Sequence, residues 1–426
     1  MTITLKLMSQ SRSLRLKGIL LLMLTLLVVS LLLERDGSGT LSPSGNHLNV
    51  TRGPFVQQLL NSFQLDEIHH LVKRMSYKQL ASLYVSRMTL DEEIGQLFMV
   101  QNSHSTYSTD LEQTIEQFHV GGVILYQWQM ETFDQTRHDI AEMQKHATFP
   151  LLISTDEEGG TTDRLSNIYP PRPGATEISN TGNAHVATHE GAQTAHDLLA
   201  LGLNADIAPD VDVAVINGPD QAWRTFGSTT QQVTTLAGAY LNAMQKAGEI
   251  ACLKHFPGLG AAQVDAHFAL PIITRSKEEI NAVELAPYKA FIHSKNPFLH
   301  PGMIMTTDLL MPAIDPVMPA ELSYTLITKV LRQQLGYDGV VLTDSLFMAG
   351  IYPTWSFPEA AVLAIKAGDD MILGASGVPE LRADFKAIKQ AIQHGTLSKE
   401  RIDESVIRIL ALKMQYHLMP AVPPQT

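Results

Sequence analysis

From residue 90 onward, eight short apolar runs of strand length alternate with longer amphipathic segments, and few folds accommodate that rhythm. The runs lie at 96–100, 121–126, 151–156, 203–208, 251–256, 302–307, 339–344 and 370–374. Between them, residues 110–118, 133–146, 185–201, 231–247, 277–294, 324–335 and 358–367 read as helices, and 397–417 as one more helix on the outside. Strands that are apolar throughout, not on alternate residues only, belong to a parallel sheet covered on both faces. That leaves a (β/α)8 barrel or an open, doubly wound sheet. The polar residues favour the first. Asp156, the Lys254-His255 pair, Asp308 and Asp344 all fall at or just beyond the carboxyl ends of predicted strands, and in a barrel those ends converge on one mouth. The expected architecture is therefore an α/β chain folded as a TIM-type (β/α)8 barrel.

Lys6, Arg12, Arg15 and Lys17 precede an uncharged, mostly apolar run at 18–33 that Glu34, Arg35 and Asp36 close. The run is slightly short for a spanning helix, which takes roughly 17 to 25 residues, and no small-residue cleavage site follows it. We expect an uncleaved signal anchor over 1–36, basic flank inside, that holds the body outside the cytoplasmic membrane; a cleaved secretory signal is the alternative. Residues 37–53, rich in Ser, Gly, Pro and Asn, read as a flexible linker. Residues 54–88 read as a helical extension, with Phe55, Leu59, Leu60, Phe63, Ile68, Leu71 and Val72 at helical spacing. The barrel is expected over 89–417, with a tail at 418–426 and no second large domain.

Composition removes several functional classes. With 45% hydrophobic and 17% charged residues, the chain can bury a large core and is not disordered. Beyond residue 36 it carries 26 basic against 41 acidic residues, a balance that repels phosphate backbones and argues against a nucleic-acid partner. Cys252 is the only cysteine, so an intrachain disulfide, a cysteine metal site and a lipoprotein anchor after the apolar run are all excluded. Gly258-x-Gly260 lacks the third glycine and the helix start of a phosphate-binding loop. His69-His70, His293 and His300 lack metal-ligand spacing. No cofactor or metal is expected, and a monomer is.

Four constellations carry chemistry. Asp344 ends a β-branched run and is followed by Ser345; there a carboxylate can act as a nucleophile or stabilise an electron-poor carbon, or simply cap the next helix. Lys254-His255-Phe256-Pro257-Gly258 places two cations at a strand end, and Asp265-Ala266-His267 follows on a glycine-rich loop. Residues two apart in an extended loop face one side, so Asp265 can hydrogen-bond His267 and fix its tautomer for proton transfer, or the pair can be only an Asx turn. Asp156-Glu157-Glu158-Gly159-Gly160 with Arg164 offers a carboxylate to sugar hydroxyls and a guanidinium to a second polar group, or is a solvated acidic turn. Arg224-Thr225-Phe226-Gly227 offers another arginine, or a surface ion pair. Lys254 is also the candidate Schiff-base lysine of an aldolase-like barrel. Met303 and Met305 read as core filler, with Met305 also a substrate-binding candidate.

Taken together, these motifs resemble glycoside hydrolase family 3, and within it the single-barrel bacterial β-N-acetylhexosaminidases. The likeness runs from about residue 88 to 414. It comprises Met88-Thr89-Leu90-Asp91-Glu92-Glu93-Ile94-Gly95-Gln96, Asp156-x-Glu158-Gly159-Gly160 with Arg164, Ala208-Pro209 with Asp212, and Arg224-x-Phe226-Gly227. It continues with Lys254-His255-Phe256-Pro257-Gly258, Asp265-x-His267, Leu335-Gly336-Tyr337-Asp338-Gly339 leading to Asp344, and Ala367-Gly368-x-Asp370. The resemblance implies that Asp344 is the nucleophile, that His267 oriented by Asp265 is the acid/base, and that Asp156, Arg164, Arg224, Lys254 and His255 hold an N-acetylglucosamine. A histidine on the barrel's own loop lets one domain suffice, where larger family members take an acid/base glutamate from a second domain.

The chain departs from the family pattern at two places. The loop that usually reads Gly-His-Gly-Asp is Gly258-Leu259-Gly260-Ala261 here, and the usual histidine of the sixth strand is Asp308. The latter is expected to place an acidic group near the mouth, where it would act on His267. The leading expectation is a membrane-tethered exo-β-N-acetylglucosaminidase for cell-wall muropeptides or chitin-like oligosaccharides. A phosphorylase, a silent amino-sugar-binding barrel and the Schiff-base barrel are the alternatives.

Overall fold

The computed structural model describes residues 75–219 and 223–421. The expected anchor, the linker and most of the helical extension lie outside these residues. Among the described residues no helix is long and apolar enough to cross a membrane. The described part of the extension contains helix α1 (Tyr77–Val85).

The unit from Val85 to Pro420 is a barrel. Its parallel strands are β1 (Phe98–Gln101), β2 (Gly122–Ile124), β3 (Leu152–Thr155), β4 (Ala205–Asp206), β5 (Ile250–Phe256), β6 (Met303–Thr306), β7 (Val340–Ser345) and β8 (Met371–Leu373), paired in chain order. The sheet closes where Phe98 pairs with Ile372 and Met99 with Leu373, which excludes the open, doubly wound alternative. Almost every strand residue is buried, as it must be with side chains filling the lumen on one face and helices covering the other. Most strands are shorter than their apolar runs. The run at 203–208 contracts to β4, although Ile207 still donates to Thr155 and Ala208 still accepts from Cys252 just beyond it.

Around the strands lie α2 (Leu90–Gln96), α3 (Thr109–Phe118), α4 (Phe133–His146), α5 (Ala175–Asn180), α6 (Ala184–Leu201) and α7 (Thr230–Ala247). After β5 come α8 (Lys277–Ala282), α9 (Ala286–Ile292), α10 (Phe357–Ala367), α11 (Gly377–Gln393) and α12 (Lys399–Gln415). Local chemistry sets their ends. Thr89 and Glu92 form a capping box on α2, Thr132 and Gln135 one on α4, and Ser108 caps α3. Gly202 and Gly248, at φ 97° and 104°, end α6 and α7 and turn the chain into β4 and β5, a conformation that penalises any side chain. The single helix expected over 277–294 is two: Pro287 lacks an N–H and sits in the first turn of α9, where that loss is harmless. Residues Thr325–Gln334 form a π-helix, and α5 and α11 were not among the expected helices.

Asp370 locks the base of the barrel. Its buried carboxylate accepts from Arg332, Arg401, Arg408 and Ser405 at 2.5 to 3.2 Å and from the Val341 N–H at 3.1 Å. Burial works against its charge, but the three guanidinium groups outweigh burial and hold the carboxyl well below the usual range. A depressed folded-state pKa gives stability that is present above the ordinary carboxylate pKa and lost as pH falls toward the folded one. Asp370→Ala leaves three arginines around an empty buried site, and urea unfolding at neutral pH should show a loss of about 3–5 kcal/mol. The loss should shrink as the assay is acidified.

Candidate active site

A cavity of about 400 Å³ opens where the carboxyl ends of the strands meet. Asp156 enters it just after β3, Lys254 and His255 from β5, Met305 from β6 and Asp344 from β7. Arg164 and Arg224 come from the loops after β3 and β4, and His267 from the loop after β5. All the expected substrate-binding residues thus face one space together with Asp344 and His267. Asp265 reaches it through His267.

The floor is a buried charge lattice. The Lys254 ammonium donates to Asp156 Oδ1 at 2.9 Å and lies 2.6 Å from Glu158 Oε1, and Arg224 grips Glu158 with Nε and Nη2 at 2.9 and 2.8 Å. Burial alone would discharge these groups. For Lys254 the carboxylates of Asp156 and Glu158 outweigh it and raise the pKa above the ordinary lysine value; for Glu158, Arg224 and Lys254 hold the carboxyl well below the usual range. An ammonium clamped between two carboxylates has no free electron pair for a carbonyl, which argues against the Schiff-base alternative at Lys254. The Asp156-Glu157-Glu158 segment is not a solvated turn either. Glu157 is fully enclosed, accepts the N–H groups of Gly159, Arg164 and Leu165, and is raised by burial and by Asp163 to about 8. Its role is to fold the loop so that Asp156 and Arg164 point inward, 3.9 Å apart at their closest oxygen and nitrogen.

Lys254 has a testable structural share. Lys254→Met removes the cation shared by Asp156 and Glu158 and leaves Glu158 with Arg224 and Asp156 with only the more distant Arg164. A drop in unfolding free energy of about 3 kcal/mol is expected from the uncompensated buried charge. Thermal unfolding of the variant would detect it, and an unchanged midpoint would mean that the lattice is not held by this cation.

His255 is placed by two carboxylates that sequence reasoning did not count as site residues. Its Nδ1 lies 2.8 Å from Asp212 Oδ2 and 3.7 Å from Asp210 Oδ2, and Arg224 Nη2 approaches Nε2 to 3.3 Å. Asp212 Oδ1 also accepts the Leu259 N–H at 2.8 Å, which ties the loop after β5 to the one after β4. The signal was legible: Asp210-Val211-Asp212 has two acids on one side of an extended segment, just past a strand. Among the described residues, Asp210, Asp212 and His255 form one of two groups close enough to share a cation, the other being Glu112, Glu116 and His146 on α3 and α4. Trp223 and Tyr126 were also missed. Trp223, 66% exposed, stands at the mouth, and the Tyr126 ring lies under the Arg164 guanidinium at 5.9 Å.

Asp344 accepts the Ser345 N–H at 2.8 Å and the Thr307 hydroxyl at 3.2 Å. At the mouth, Asp265 Oδ1 accepts both the backbone N–H of His267, at 2.9 Å, and its ring Nδ1–H, at 2.7 Å. The Asx turn and the oriented imidazole are therefore the same structure, and it leaves Nε2 free. The His267 side chain is 58% exposed and lines the rim of the cavity. The departures from the family pattern lie off the cavity lining. Leu259 is buried in the core and does not line the cavity. Asp308 is not at the mouth but buried beside Asp344, with Oδ2 accepting the Gly350 N–H at 3.0 Å.

Comparisons with known proteins identify the family. Beta-hexosaminidase A from Pseudoalteromonas piscicida is 32% identical over 344 residues, 72% of this chain and 56% of that protein. A solved glycoside hydrolase family 3 beta-N-acetylglucosaminidase from Paenibacillus sp. str. FPU-7 superposes with a TM-score of 0.74 at 36% identity, covering 78% of this chain and 63% of that one. The beta-glucoside phosphorylase BglX superposes with a TM-score of 0.72 at 25% identity, covering 82% and 63%. The chain thus spans somewhat more than half the length of these relatives. The family model for the glycosyl hydrolase family 3 N terminal domain matches residues 89–412, and with the barrel and its mouth this places the chain in glycosyl hydrolase family 3.

Proposed function

We propose that this chain is a retaining exo-β-N-acetylglucosaminidase that removes terminal N-acetylglucosamine through a covalent glycosyl-Asp344 intermediate. The observation that carries this reading is that a carboxylate, Asp344, and a carboxylate-oriented imidazole, His267, face one cavity floored by Asp156, Glu158, Arg224 and Lys254. In the first step, protonated His267 gives its Nε2 proton to the glycosidic oxygen while an Asp344 oxygen attacks the anomeric carbon. The aglycone leaves with the bond pair, through an oxocarbenium-like transition state. In the second, neutral His267 takes a proton from water, whose oxygen attacks the same carbon, and the ester pair returns to Asp344. Two displacements retain configuration. Asp265 keeps Nδ1 protonated in both steps, so that Nε2 does the exchanging. The walls can take sugar hydroxyls on Asp156 and Arg164.

The natural substrates we assign are cell-wall muropeptides or chitin-like oligosaccharides outside the cytoplasmic membrane. The basic-flanked apolar run at 18–33 supports that address. A second reading, transfer of the glycosyl group to phosphate, is favoured by the imidazole acid/base, which adds no anion to repel phosphate, and by the likeness to a beta-glucoside phosphorylase. One assay separates these. The purified chain is given p-nitrophenyl β-N-acetylglucosaminide or the β-glucoside, with and without inorganic phosphate. Release from the acetamido sugar alone, yielding free N-acetylglucosamine in both buffers, is expected. A sugar 1-phosphate moves the chain to the phosphorylase reading. No release from either substrate overturns the enzyme reading and leaves a silent sugar-binding barrel.

A further inference from the structure

The mechanism above uses Asp344 and leaves a second buried carboxyl beside it without a part. Asp308 follows β6, has no exposed surface and does not line the cavity. Its surroundings are specific. Oδ2 accepts the Gly350 N–H at 3.0 Å, and a Cβ placed on Gly350 would stand 2.2 Å from that oxygen, so the loop that follows the β7 carboxylate lays bare backbone on the Asp308 side chain. The Thr307 hydroxyl bridges the two carboxyls, 3.2 Å from Asp344 Oδ2 and 3.5 Å from Asp308 Oδ1. The charged groups that bear on this pocket are Asp344 on β7, the wholly buried Glu321 from the 3-10 turn Ala320–Leu322, and Asp369 just ahead of β8.

Asp344, which lines the cavity, and the buried Asp308, Glu321 and Asp369 near it cannot all be ionised. The donors decide which one is. Asp344 borders the open cavity and receives both a backbone N–H and the Thr307 hydroxyl, whereas Asp308 is sealed in. Burial first, and the Asp344 charge second, push the Asp308 carboxyl up to about 8. Burial likewise raises Glu321 and Asp369 well above the usual range.

We propose that Asp308 is a positioning residue for the nucleophile: it holds the loop after β7 through Gly350 and gives Asp344 an uncharged neighbour, so that negative charge returns easily to Asp344 when the glycosyl ester is cleaved. This rests on the reading of Asp344 as nucleophile. When water attacks, its oxygen bonds to the anomeric carbon, its proton passes to His267 Nε2, and the pair of the carbon–oxygen ester bond goes back to Asp344. An ionised Asp308 would oppose that return by placing two anions side by side in low dielectric. While Asp344 is an ester its charge is gone and Asp308 releases its proton more readily, so the second half-reaction is the one exposed to Asp308 ionisation.

The experiment uses the full chain with 2,4-dinitrophenyl β-N-acetylglucosaminide, whose leaving group needs no proton, so that ester cleavage limits kcat. With kcat followed from about pH 5 to about pH 10, the wild type should fall toward the alkaline end as Asp308 ionises. Asp308→Asn keeps an oxygen for Gly350 but has no proton to lose, so the alkaline fall should vanish and kcat near the upper end should exceed wild type by about tenfold. Thr307→Val, with the same shape, removes the hydroxyl whose single proton can turn from Asp344 to Asp308 once Asp344 is an ester, and should move the fall to higher pH. Asp308→Ala, lacking both functions, should lose kcat at every pH. An alkaline fall that stays in place in Asp308→Asn, or in Thr307→Val where Asp308→Asn does not fold, overturns the proposal. If Asp344→Asn keeps wild-type turnover of this substrate, it is the nucleophile reading that has failed.

Discussion

Asp344→Asn lowers kcat/KM on p-nitrophenyl β-N-acetylglucosaminide by on the order of 10⁴-fold or more, the scale seen when a covalent nucleophile is removed. The substitution is isosteric. The oxygen of the new side-chain amide can still accept the Ser345 N–H and the Thr307 hydroxyl, both of which now hold the carboxylate. Circular dichroism and thermal unfolding should therefore match wild type, which separates a chemical defect from a folding one. What disappears is the charge that forms the ester. Rapid mixing of the wild type with the dinitrophenyl glycoside should give a burst of one equivalent of phenolate per chain, and the variant none. Retention of more than about a hundredth of wild-type kcat/KM, equivalent to a loss below about 2.7 kcal/mol, would remove Asp344 from the nucleophile's place.

The strands were legible because a barrel strand must be apolar on both faces, a pattern that few loops imitate, and closure was favoured over an open sheet by the polar residues gathered at the strand ends. Their ends were less legible. A run such as 203–208 stays apolar and buried past the regular strand, since Ile207 and Ala208 still bond to Thr155 and Cys252 beyond the end of β4. Helix α11 was overlooked although its buried Leu381, Phe385 and Ile388 keep helical spacing, because Gly377 and Pro379 at its start resemble a turn.

The site divides in the same way. Side chains that end strands, Asp156, Lys254, His255 and Asp344, were marked by position alone. Glu158 and Asp212, by contrast, work through partners 66 and 43 residues away in sequence, Arg224 and His255; a local Asp-x-Asp pattern can mark Asp212 but does not name its partner. Asp308 shows the limit most clearly. Its place at a strand end suggested the mouth, yet the loop through Gly350 folds over it and changes an exposed acid into a buried one. Depth below a loop is set by tertiary packing, and a one-dimensional pattern does not carry it.

The second large effect belongs to His267, and its size should depend on the leaving group. For a sugar aglycone, whose oxygen is a poor leaving group without a proton, His267→Ala should cost about 10²–10⁴-fold in kcat/KM, the range of general acid catalysis. For 2,4-dinitrophenol the first step needs no acid, so kcat/KM should fall by less than about tenfold while kcat, limited by base-assisted ester cleavage, still falls strongly. A structural role for this half-exposed loop residue would weaken both substrates alike. Asp265→Ala should follow the same pattern at smaller amplitude, since Oδ1 fixes the Nδ1 tautomer and the loop turn but exchanges no proton with substrate. Azide, an anion that needs no base, should restore kcat in His267→Ala by capturing the glycosyl ester as the β-azide. Equal losses on both aglycones, with no azide product, would take the acid/base away from His267 and reopen the question of which group at the mouth supplies the proton.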